Sequence, residues 1–461
     1  MTISAALVAL IKAFGVFSIL LLLGSFLRAK LPIFQNLYLP ACVIGGFIGL
    51  ILGPNVLNII KFSENTMAAA SAVPGVFIVP VLASIPMCLN LKGSGGAATL
   101  KKSNDIMVAA CLVGGFFTFQ CLIGLITTVI CRAMGAPAYD AMGLEMAMGF
   151  SGGHGMAASL GGALQSMGNP DWEAAQGVAM TTATTGLIGG IILGVMLINV
   201  AAKKGYATQI KSAAKVSLEM RSGIYAKDSE LPSLGVQTTV PNNIETISLH
   251  LGLMLAASLG GYALASVLGG LHSFFTGMST WFYAMVVMVV LWVLVCAVKA
   301  DHLFKEEVKN KITGFLSDYL IVAAIMSIPV NVVATYWVSL LAMTVAGLIL
   351  TPLLLWFICK KFMHNNWFEK MLGLLGCNTG VFVTGMLLIK MADPDLKTDA
   401  LNDYSIGYTL ANLVLMPLVA VIISIVHTSG AVAGMALPAA VSAAMFILMV
   451  VYHKLAGAKK A

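Results

Sequence analysis

Eleven stretches of the chain are each long and apolar enough to cross a lipid bilayer, and this succession constrains the fold more than any other feature. A helix needs about 20 apolar residues to cross roughly 30 Å of hydrocarbon. Only 10% of the 461 residues are charged and 59% are hydrophobic, which is too little charge to cover a water-soluble globule. The stretches are 7–27, 38–60, 73–90, 106–131, 174–202, 246–270, 280–298, 315–332, 337–359, 404–427 and 431–452. The sequence therefore predicts an all-α polytopic membrane protein that is embedded in a lipid bilayer.

Two further apolar stretches, 143–164 and 371–390, are interrupted by clusters of glycine. Glycine costs about 1 kcal/mol per helix position relative to alanine, so a cluster at mid-segment favours a break. Each arm would then have about 10 residues, or about 15 Å of helix, and would reach only the middle of the bilayer. We therefore predict two re-entrant hairpins, with tips at 151–155 and 376–380.

The distribution of Lys and Arg favours this topology. With both stretches re-entrant and the N-terminus outside, 23 basic residues, among them Arg28 and Lys370, lie inside and two lie outside. If both stretches crossed the bilayer, the numbers would be 10 inside and 15 outside. Because basic residues are enriched in cytoplasmic loops, we predict the N-terminus outside and the C-terminus inside.

The chain also contains a weak internal repeat. A shift of 224 residues places residues 143–171 on 367–395 with eight identities, including Glu145 on Glu369 and Gly152 on Gly376. Each repeat has five spans, and an odd number forces the second repeat into the opposite orientation. We predict two five-helix inverted-topology repeats, 1–202 and 246–427, which are joined by a cytoplasmic linker at 203–245. Residues 428–461 add one extra C-terminal transmembrane helix and a cytoplasmic tail.

The sequence lacks the motifs of several other functions. It has no G-x-x-x-x-G-K-[ST] or H-E-x-x-H sequence, so we expect neither ATP-driven transport nor an enzyme. The net charge of +7 lies in short loops between apolar runs, so we expect no nucleic-acid partner. No cofactor is expected apart from a coupling ion.

Inverted repeats with broken, glycine-rich segments are typical of secondary transporters, which bind substrate and ions near the membrane midplane. Free backbone N–H groups at helix starts attract carboxylates, and free carbonyl and hydroxyl oxygens suit sodium. The substrate-binding candidates are Ser151, Gly152, Gly153, His154, Gly155, Thr181, Thr184, Gly376, Cys377, Asn378, Thr379, Gly380, Thr409 and Asn412. The sodium candidates are Ser151, Thr185, Asn378, Thr379 and Ser405.

Other readings of the same residues stay open. His154 is either a substrate contact or a packing residue with satisfied hydrogen bonds, and a single polar residue after a hairpin can simply bond a neighbouring helix. Glycine clusters can also serve close helix packing. Three acidic residues, Glu145, Asp318 and Glu369, fall near predicted span ends, where we expect them at the membrane interface.

Three motifs resemble those of the bacterial sodium/glutamate symporter family. Ser-Gly-Gly-His-Gly at 151–155 looks like the family's first-hairpin motif. Pro40-x-x-x-x-Gly45-Gly46 and Cys377-x-x-Gly380 are similar as well, and the likeness extends over roughly 1–427. The family's second hairpin typically reads Cys-Gly-x-Gly, and here the two residues after the cysteine are asparagine and threonine.

The resemblance implies a homodimer in the bacterial cytoplasmic (inner) membrane that takes up L-glutamate with sodium. It also implies a mobile core domain that carries both hairpins and moves by an elevator-type mechanism. The leading hypothesis is thus a sodium-coupled symporter for glutamate or a similar small anion. The alternatives are a sodium- or proton-coupled transporter of a dicarboxylate or another amino acid, a passive channel, and a non-transporting scaffold or sensor.

Overall fold

The computed structural model describes residues 3–37, 39–88, 104–206, 219, 222–225, 233–240, 242–271, 275, 280–393 and 397–458. Within these ranges it gives the bounds of seventeen α-helices and contains no strand, which confirms the all-α class. Most of the predicted linker 203–245 lies outside the described residues. The loop residues Lys92, Lys101 and Lys102 and the repeat residues Pro394 and Asp395 lie outside them too.

The helices follow the same order in the two halves of the chain. Each half has four longer helices, then two short helices joined at a break, and then one long helix, with one additional short helix in each half (α2 and α12). The helices of the first half are α1 (Ile3–Lys30), α2 (Pro32–Asn36), α3 (Ala41–Leu52), α4 (Glu64–Ala83), α5 (Asn104–Ala133), α6 (Leu144–Phe150), α7 (Gly153–Ser166) and α8 (Trp172–Lys204).

The second half repeats this order and adds a final helix. Its helices are α9 (Thr246–Leu271), α10 (Thr280–Ala297), α11 (Glu306–Met326), α12 (Val330–Thr335), α13 (Trp337–Phe362), α14 (Trp367–Thr379), α15 (Phe382–Ala392), α16 (Ala400–Gly434) and α17 (Ala436–Ala458). We refer to α6 and α7 as hairpin 1 and to α14 and α15 as hairpin 2.

Nine of the described helices are long and apolar enough to cross a membrane, which supports a multi-pass membrane protein. The predicted span 38–60 is wrong in length, because α3 has only 12 residues and ends at Leu52. Gly53 and Pro54 follow, and the Asn55 side chain then donates hydrogen bonds to the carbonyls of Met326 and Ile328. Proline and glycine disfavour helix continuation, so the remaining residues of this run form turns.

Two other predicted spans differ from the observed helices. The run 315–332 belongs to α11, which is not one of the nine helices, begins nine residues earlier at Glu306 and ends at Met326, three residues before Pro329. Two acidic residues in its first turn favour this start, since they interact with the positive end of the helix dipole. The last two predicted spans are α16 and α17, with a break in the path of α16 at Gly430, whose φ is +75°.

The described helices pack as two groups. The frame consists of α1, α3, α4, α9, α10 and α11, three helices from each half of the chain. The hairpin bundle consists of α5–α8 and α13–α17, and it contains both hairpins. Contacts between the two groups are fewer and involve chiefly α4 and α11 of the frame with α7 and α8 of the bundle. The candidate site lies at the boundary of these groups.

Candidate functional site

Hairpin 1 reverses the direction of the chain against α8. In the first arm, α6, the carbonyl of Glu145 accepts a hydrogen bond from Thr182 Oγ1 at 2.7 Å. In the second arm, α7, His154 pairs with Thr184, and an ideal Cβ on Gly161 would lie 2.5 Å from the side chain of Gln176. The two arms therefore run along α8 in opposite directions, as the glycine cluster predicts.

The turn of hairpin 1 lies at Ser151 and Gly152, and α7 begins at Gly153 with a φ of +64°. Side chains rarely adopt this left-handed conformation, so glycine suits the position. An added Cβ here would also collide with the Val381 side chain of hairpin 2. Glycine at this position therefore serves both the turn and the close approach of the two tips.

Glu145, expected at the membrane interface, is instead fully buried at the base of hairpin 1. Its Oε1 accepts a hydrogen bond from the Tyr139 hydroxyl at 2.6 Å, and its Oε2 accepts one from the backbone N–H of Gly143. The expectation was wrong because the partners of this carboxylate come from the loop before α6. The carboxylate thereby fixes the entry of the hairpin.

Hairpin 2 has a longer first arm and an extended turn. Helix α14 ends at Thr379, and Gly380 and the extended residue Val381 connect it to α15. An ideal Cβ on Gly376 would lie 2.5 Å from the Cα of Gly385, so the two arms touch backbone to backbone. Within the predicted tip 376–380, Gly376 therefore serves the contact between the two arms. The turn itself begins only at Gly380.

Three ionic side chains from different elements meet at the base of hairpin 2. The Lys370 ammonium pairs with the carboxylate of Asp105 at the start of α5 and, at 2.8 Å, with that of Asp403 in α16. All three side chains are buried, and Glu369, the residue before Lys370, is fully buried as well. Lys370, expected in a loop, thus lies within α14, and both Lys370 and Glu369 are buried instead of facing water or headgroups. The sequence did not reveal this because the partners that neutralise Lys370 lie far away in sequence.

The two tips contact each other directly. Ser151 Oγ lies 3.1 Å from Asn378 Oδ1 and 2.6 Å from Gln120 Oε1 of α5. Gln120 Nε2 in turn donates to the Asn378 carbonyl at 2.7 Å and to Thr351 Oγ1 at 3.1 Å. A serine hydroxyl has a single hydrogen, so it can serve only one of its two acceptors at a time. The junction is consequently rich in oxygen atoms with free lone pairs.

Two cavities adjoin this junction. The smaller, of about 40 Å³, is lined by Ser151, Gly152, Cys377, Asn378 and Asn412, with α5 and α16 completing its wall. The larger, of about 380 Å³, falls within the range of small-molecule sites. The hairpin residues that line it are Gly153, His154, Gly155, Gly380, Val381, Val383, Thr384, Met386 and Leu387.

His154 lies buried at the start of α7, with Nε2 at 3.0 Å from Thr184 Oγ1. The Thr184 hydroxyl donates its single hydrogen to the Met180 carbonyl at 3.0 Å. Its oxygen is therefore left to accept from His154, which places the imidazole proton on Nε2. The side chain has a hydrogen-bond partner and also forms part of the wall of the larger cavity, and its contact with a substrate stays a prediction.

Several predicted residues lie elsewhere. The hydroxyls of Thr181, Ser405 and Thr409 each donate to the carbonyl four residues earlier in their own helix, and none of these residues lines either cavity. Thr185 donates to the Thr182 carbonyl and lies 3.4 Å from Thr344 Oγ1.

Thr379, at the end of α14, has a different role. Its hydroxyl donates to the Leu375 carbonyl, and its side chain fills the space beside Gly190 of α8. It therefore packs hairpin 2 against the helix that carries hairpin 1.

Three residues that lie at the site were not assigned to it from the sequence. Gln120 is the only amide within the apolar run of α5, and that isolation is the signal that could have found it. Arg28, counted among the cytoplasmic loop residues, and Asp318, assigned to the interface, both line the larger cavity. Nothing in the local sequence around these two residues indicates that they meet the hairpin tips.

The bilayer-length helices support a multi-pass membrane protein, in which the two broken helices meet at a cavity of ligand size. A family model, sodium/glutamate symporter, matches residues 7–391, which is most of the chain. The chain belongs to the sodium/glutamate symporter family, as its motifs indicate. No curated protein matches it.

Proposed function

We propose that the protein is a sodium-coupled secondary symporter that takes up glutamate or a similar small anionic substrate across the cytoplasmic membrane of a bacterium. The observation that carries the proposal is the close approach of the two hairpin tips, Gly153 to Val381, at the wall of a cavity of ligand size, next to the contact of Ser151 with Asn378. The family match supports sodium as the coupling ion and glutamate as the substrate.

We infer that hairpins 1 and 2 are re-entrant and enter the membrane from opposite faces. Hairpin 1 spans 23 residues with a break after Phe150, and hairpin 2 spans 26 residues with a break after Thr379. Arms of 7 to 14 residues correspond to roughly 10–20 Å of helix, which is short of a full crossing. The matching order of helices in the two halves supports an inverted repeat.

We further propose an elevator-type motion in which the hairpin bundle moves against the frame. Each half of the chain contributes three helices to the frame and one helix, one hairpin and one helix to the bundle. The larger cavity lies at their boundary and takes residues from both groups. Sparse contacts across such a boundary favour relative movement, whereas the contacts within each group favour rigid units.

Sodium fits the junction between the tips. Hard cations prefer oxygen ligands, and the junction brings together Ser151 Oγ, Asn378 Oδ1 and Gln120 Oε1. The adjacent space of about 40 Å³ accommodates one water or ion. We therefore assign Ser151 and Asn378 of the predicted sodium ligands, together with Gln120, to one cation site. The other predicted ligands, Thr185, Thr379 and Ser405, have no contact with it.

The proposed assembly in the membrane is a homodimer with the N-terminus outside and the C-terminus inside. In this arrangement residues 1–202 and 246–427 are the two repeats, 203–245 is a cytoplasmic linker, and the extra helix lies within 428–461. Helix α17 packs on α5, where Ser442 Oγ donates to the Gly115 carbonyl, so the extra helix belongs to the hairpin bundle.

Uptake of labelled glutamate into proteoliposomes tests the proposed function. We expect accumulation that saturates with substrate and requires an inward sodium gradient, with little uptake when potassium replaces sodium. Flux that does not saturate and needs no ion gradient would instead identify a passive channel. Accumulation that needs a proton gradient alone would contradict sodium coupling.

A further inference from the structure

The frame contributes a cation and an anion to the larger cavity. Arg28 lies in the last turn of α1, and Asp318 lies in the middle of α11. Both line the cavity together with the hairpin residues Gly153 and Gly380. Ionisable side chains that face a cavity in a membrane protein commonly mark binding sites or ion pathways.

Two helix starts complete the polar surroundings of this space. Helix α7 begins at Gly153 and α15 begins at Phe382, and the first residues of both helices line the cavity. Free N–H groups at a helix start bind anions, with help from the helix dipole. The cavity therefore offers a guanidinium group and backbone donors to carboxylates, and one carboxylate to a cationic group.

This set of charges matches an amino acid with two carboxylates better than a plain dicarboxylate. We propose that Arg28 binds one carboxylate of the substrate and that Asp318 binds its ammonium group, which makes Asp318 a selectivity residue. The inference rests on the proposed function. A dicarboxylate without an ammonium group would place a negatively charged ligand beside Asp318 with no cationic group between them, and like charges at such a contact repel each other.

The position of Arg28 relates the cavity to one face of the protein. In the described part of the segment 203–245, an ideal Cβ on Gly223 would lie 3.0 Å from Arg28 Nε. The guanidinium group is thus at the side of the protein that carries the linker, which is cytoplasmic in the proposed topology. Binding to Arg28 and Asp318 then describes the substrate as it is bound towards the inside.

Equilibrium binding to the purified protein tests the assignment, with glutamate and glutarate as matched probes in the presence of sodium. The two share the same five-carbon skeleton and both carboxylates, and only glutamate has the ammonium group. We expect the wild-type protein to bind glutamate roughly tenfold or more tightly than glutarate, the size typical of a hydrogen-bonded charge. Equal or tighter binding of glutarate to the wild-type protein would overturn the inference without any variant.

Two variants sharpen the test. In Asp318→Asn, the affinity for glutamate should fall by roughly tenfold or more while the affinity for glutarate stays the same or rises, so the ratio of the two affinities approaches one. In Arg28→Gln, the affinities for both ligands should fall together. Glu307→Gln and Lys30→Gln are matched controls on the same two helices, at exposed positions outside the cavity, and they should leave both affinities unchanged.

The ratio of two affinities within one variant does not depend on the fraction of protein that is folded. An unchanged ratio in Asp318→Asn would therefore contradict the role of Asp318 even if the variant is less stable. If the wild-type protein bound neither probe with or without sodium, the proposed function itself would fall, and this inference with it. If the wild-type protein binds glutamate and Asp318→Asn leaves the ratio of glutamate to glutarate affinity unchanged, this inference is contradicted while the proposed function stands.

Discussion

The two hairpins occupy equivalent places in the two halves of the chain and are stabilised in different ways. Both arms of hairpin 1 lie on α8, through contacts such as Thr182 with the Glu145 carbonyl and His154 with Thr184. Each arm of hairpin 2 has the other arm as its main partner, with Gly376 against Gly385. The shape of hairpin 1 thus depends mainly on a neighbouring helix, whereas in hairpin 2 the contact between the two arms contributes more than any single neighbour.

Their bases differ as well. Hairpin 1 begins with one buried carboxylate that is satisfied by neutral donors, Tyr139 and the Gly143 N–H. Hairpin 2 begins with a buried lysine between two aspartates from α5 and α16. Two hairpins at matching places in the helix order can therefore be fixed in different ways, one by hydrogen bonds to a loop and the other by ion pairs to two helices.

The largest expected effects lie where the two hairpins touch. Gly153→Leu adds a side chain at a φ of +64° and against Val381, and Asn378→Ala removes the tip amide. We expect each variant to lower sodium-dependent glutamate uptake by ~100-fold or more while the protein still inserts in the membrane. Uptake is measured in proteoliposomes with equal amounts of inserted protein. Normal transport by both variants would refute the tip assignment.

Removal of the lysine at the base of hairpin 2 should strongly destabilise the fold. Lys370→Ala leaves Asp105 and Asp403 buried without their cation, and breaking such a pair from one side costs about 3–5 kcal/mol. The free energy of unfolding in detergent measures this loss. The matched control Lys361→Ala removes an exposed lysine nearby and should change stability by about 0.5 kcal/mol or less. Equal stability of the two variants would show that the ion pairs contribute nothing.

A smaller effect on stability should distinguish hairpin 2, whose arms pack on each other, from hairpin 1, whose arms pack on α8. Gly376→Ala forces apart two arms in backbone contact and should cost about 1–3 kcal/mol in the free energy of unfolding. Gly155→Ala in hairpin 1 adds the same methyl group where no atom lies within 4 Å, and the alanine is the better helix former. We expect this control to keep or raise the melting temperature. The opposite order would contradict the described packing.

The smallest effects belong to hydroxyls that bond within their own helices. Thr181→Ala and Thr409→Ala each remove a hydroxyl that donates to the carbonyl four residues earlier, outside both cavities. We expect glutamate uptake within about twofold of the wild-type rate, since a helix carbonyl keeps its backbone partner. A loss of uptake as large as that expected for Asn378→Ala would show that these two residues belong to the binding site after all.

Local sequence signals were sufficient for the helix order and for the position of both hairpins. Hydropathy reports which runs favour lipid, and clustered glycines report where a helix is weak. The same signals misjudged the run after Leu52 and the role of Gly376, because a glycine in a break and a glycine in a helix contact look alike in sequence. The two uses are distinguished only by the neighbour that the fold brings near.

The site was predictable only in part, for the same reason. Ser151 and Asn378 were expected at the tips, and the structure brings them together across 227 residues of chain. Gln120, Arg28 and Asp318 reach the site from helices whose neighbours in space are far away in sequence. Burial of Lys370 depends on such distant partners as well, whereas the partners of Glu145 lie within six residues of it in the loop before α6. In both cases charge alone did not reveal that the side chain is buried.

The most direct test of the account is the side of the membrane from which the ends of each hairpin can be reached. Single cysteines at Asp140 and Ser166 flank hairpin 1, and cysteines at Asn365 and Asp399 flank hairpin 2, all at exposed positions. Each would be introduced into a cysteine-free background and labelled with a membrane-impermeant maleimide in oriented vesicles. We predict that the first pair reacts only from outside and the second pair only from inside. A pair that divides between the two faces would show that its hairpin crosses the bilayer, and the proposed site would be lost with it.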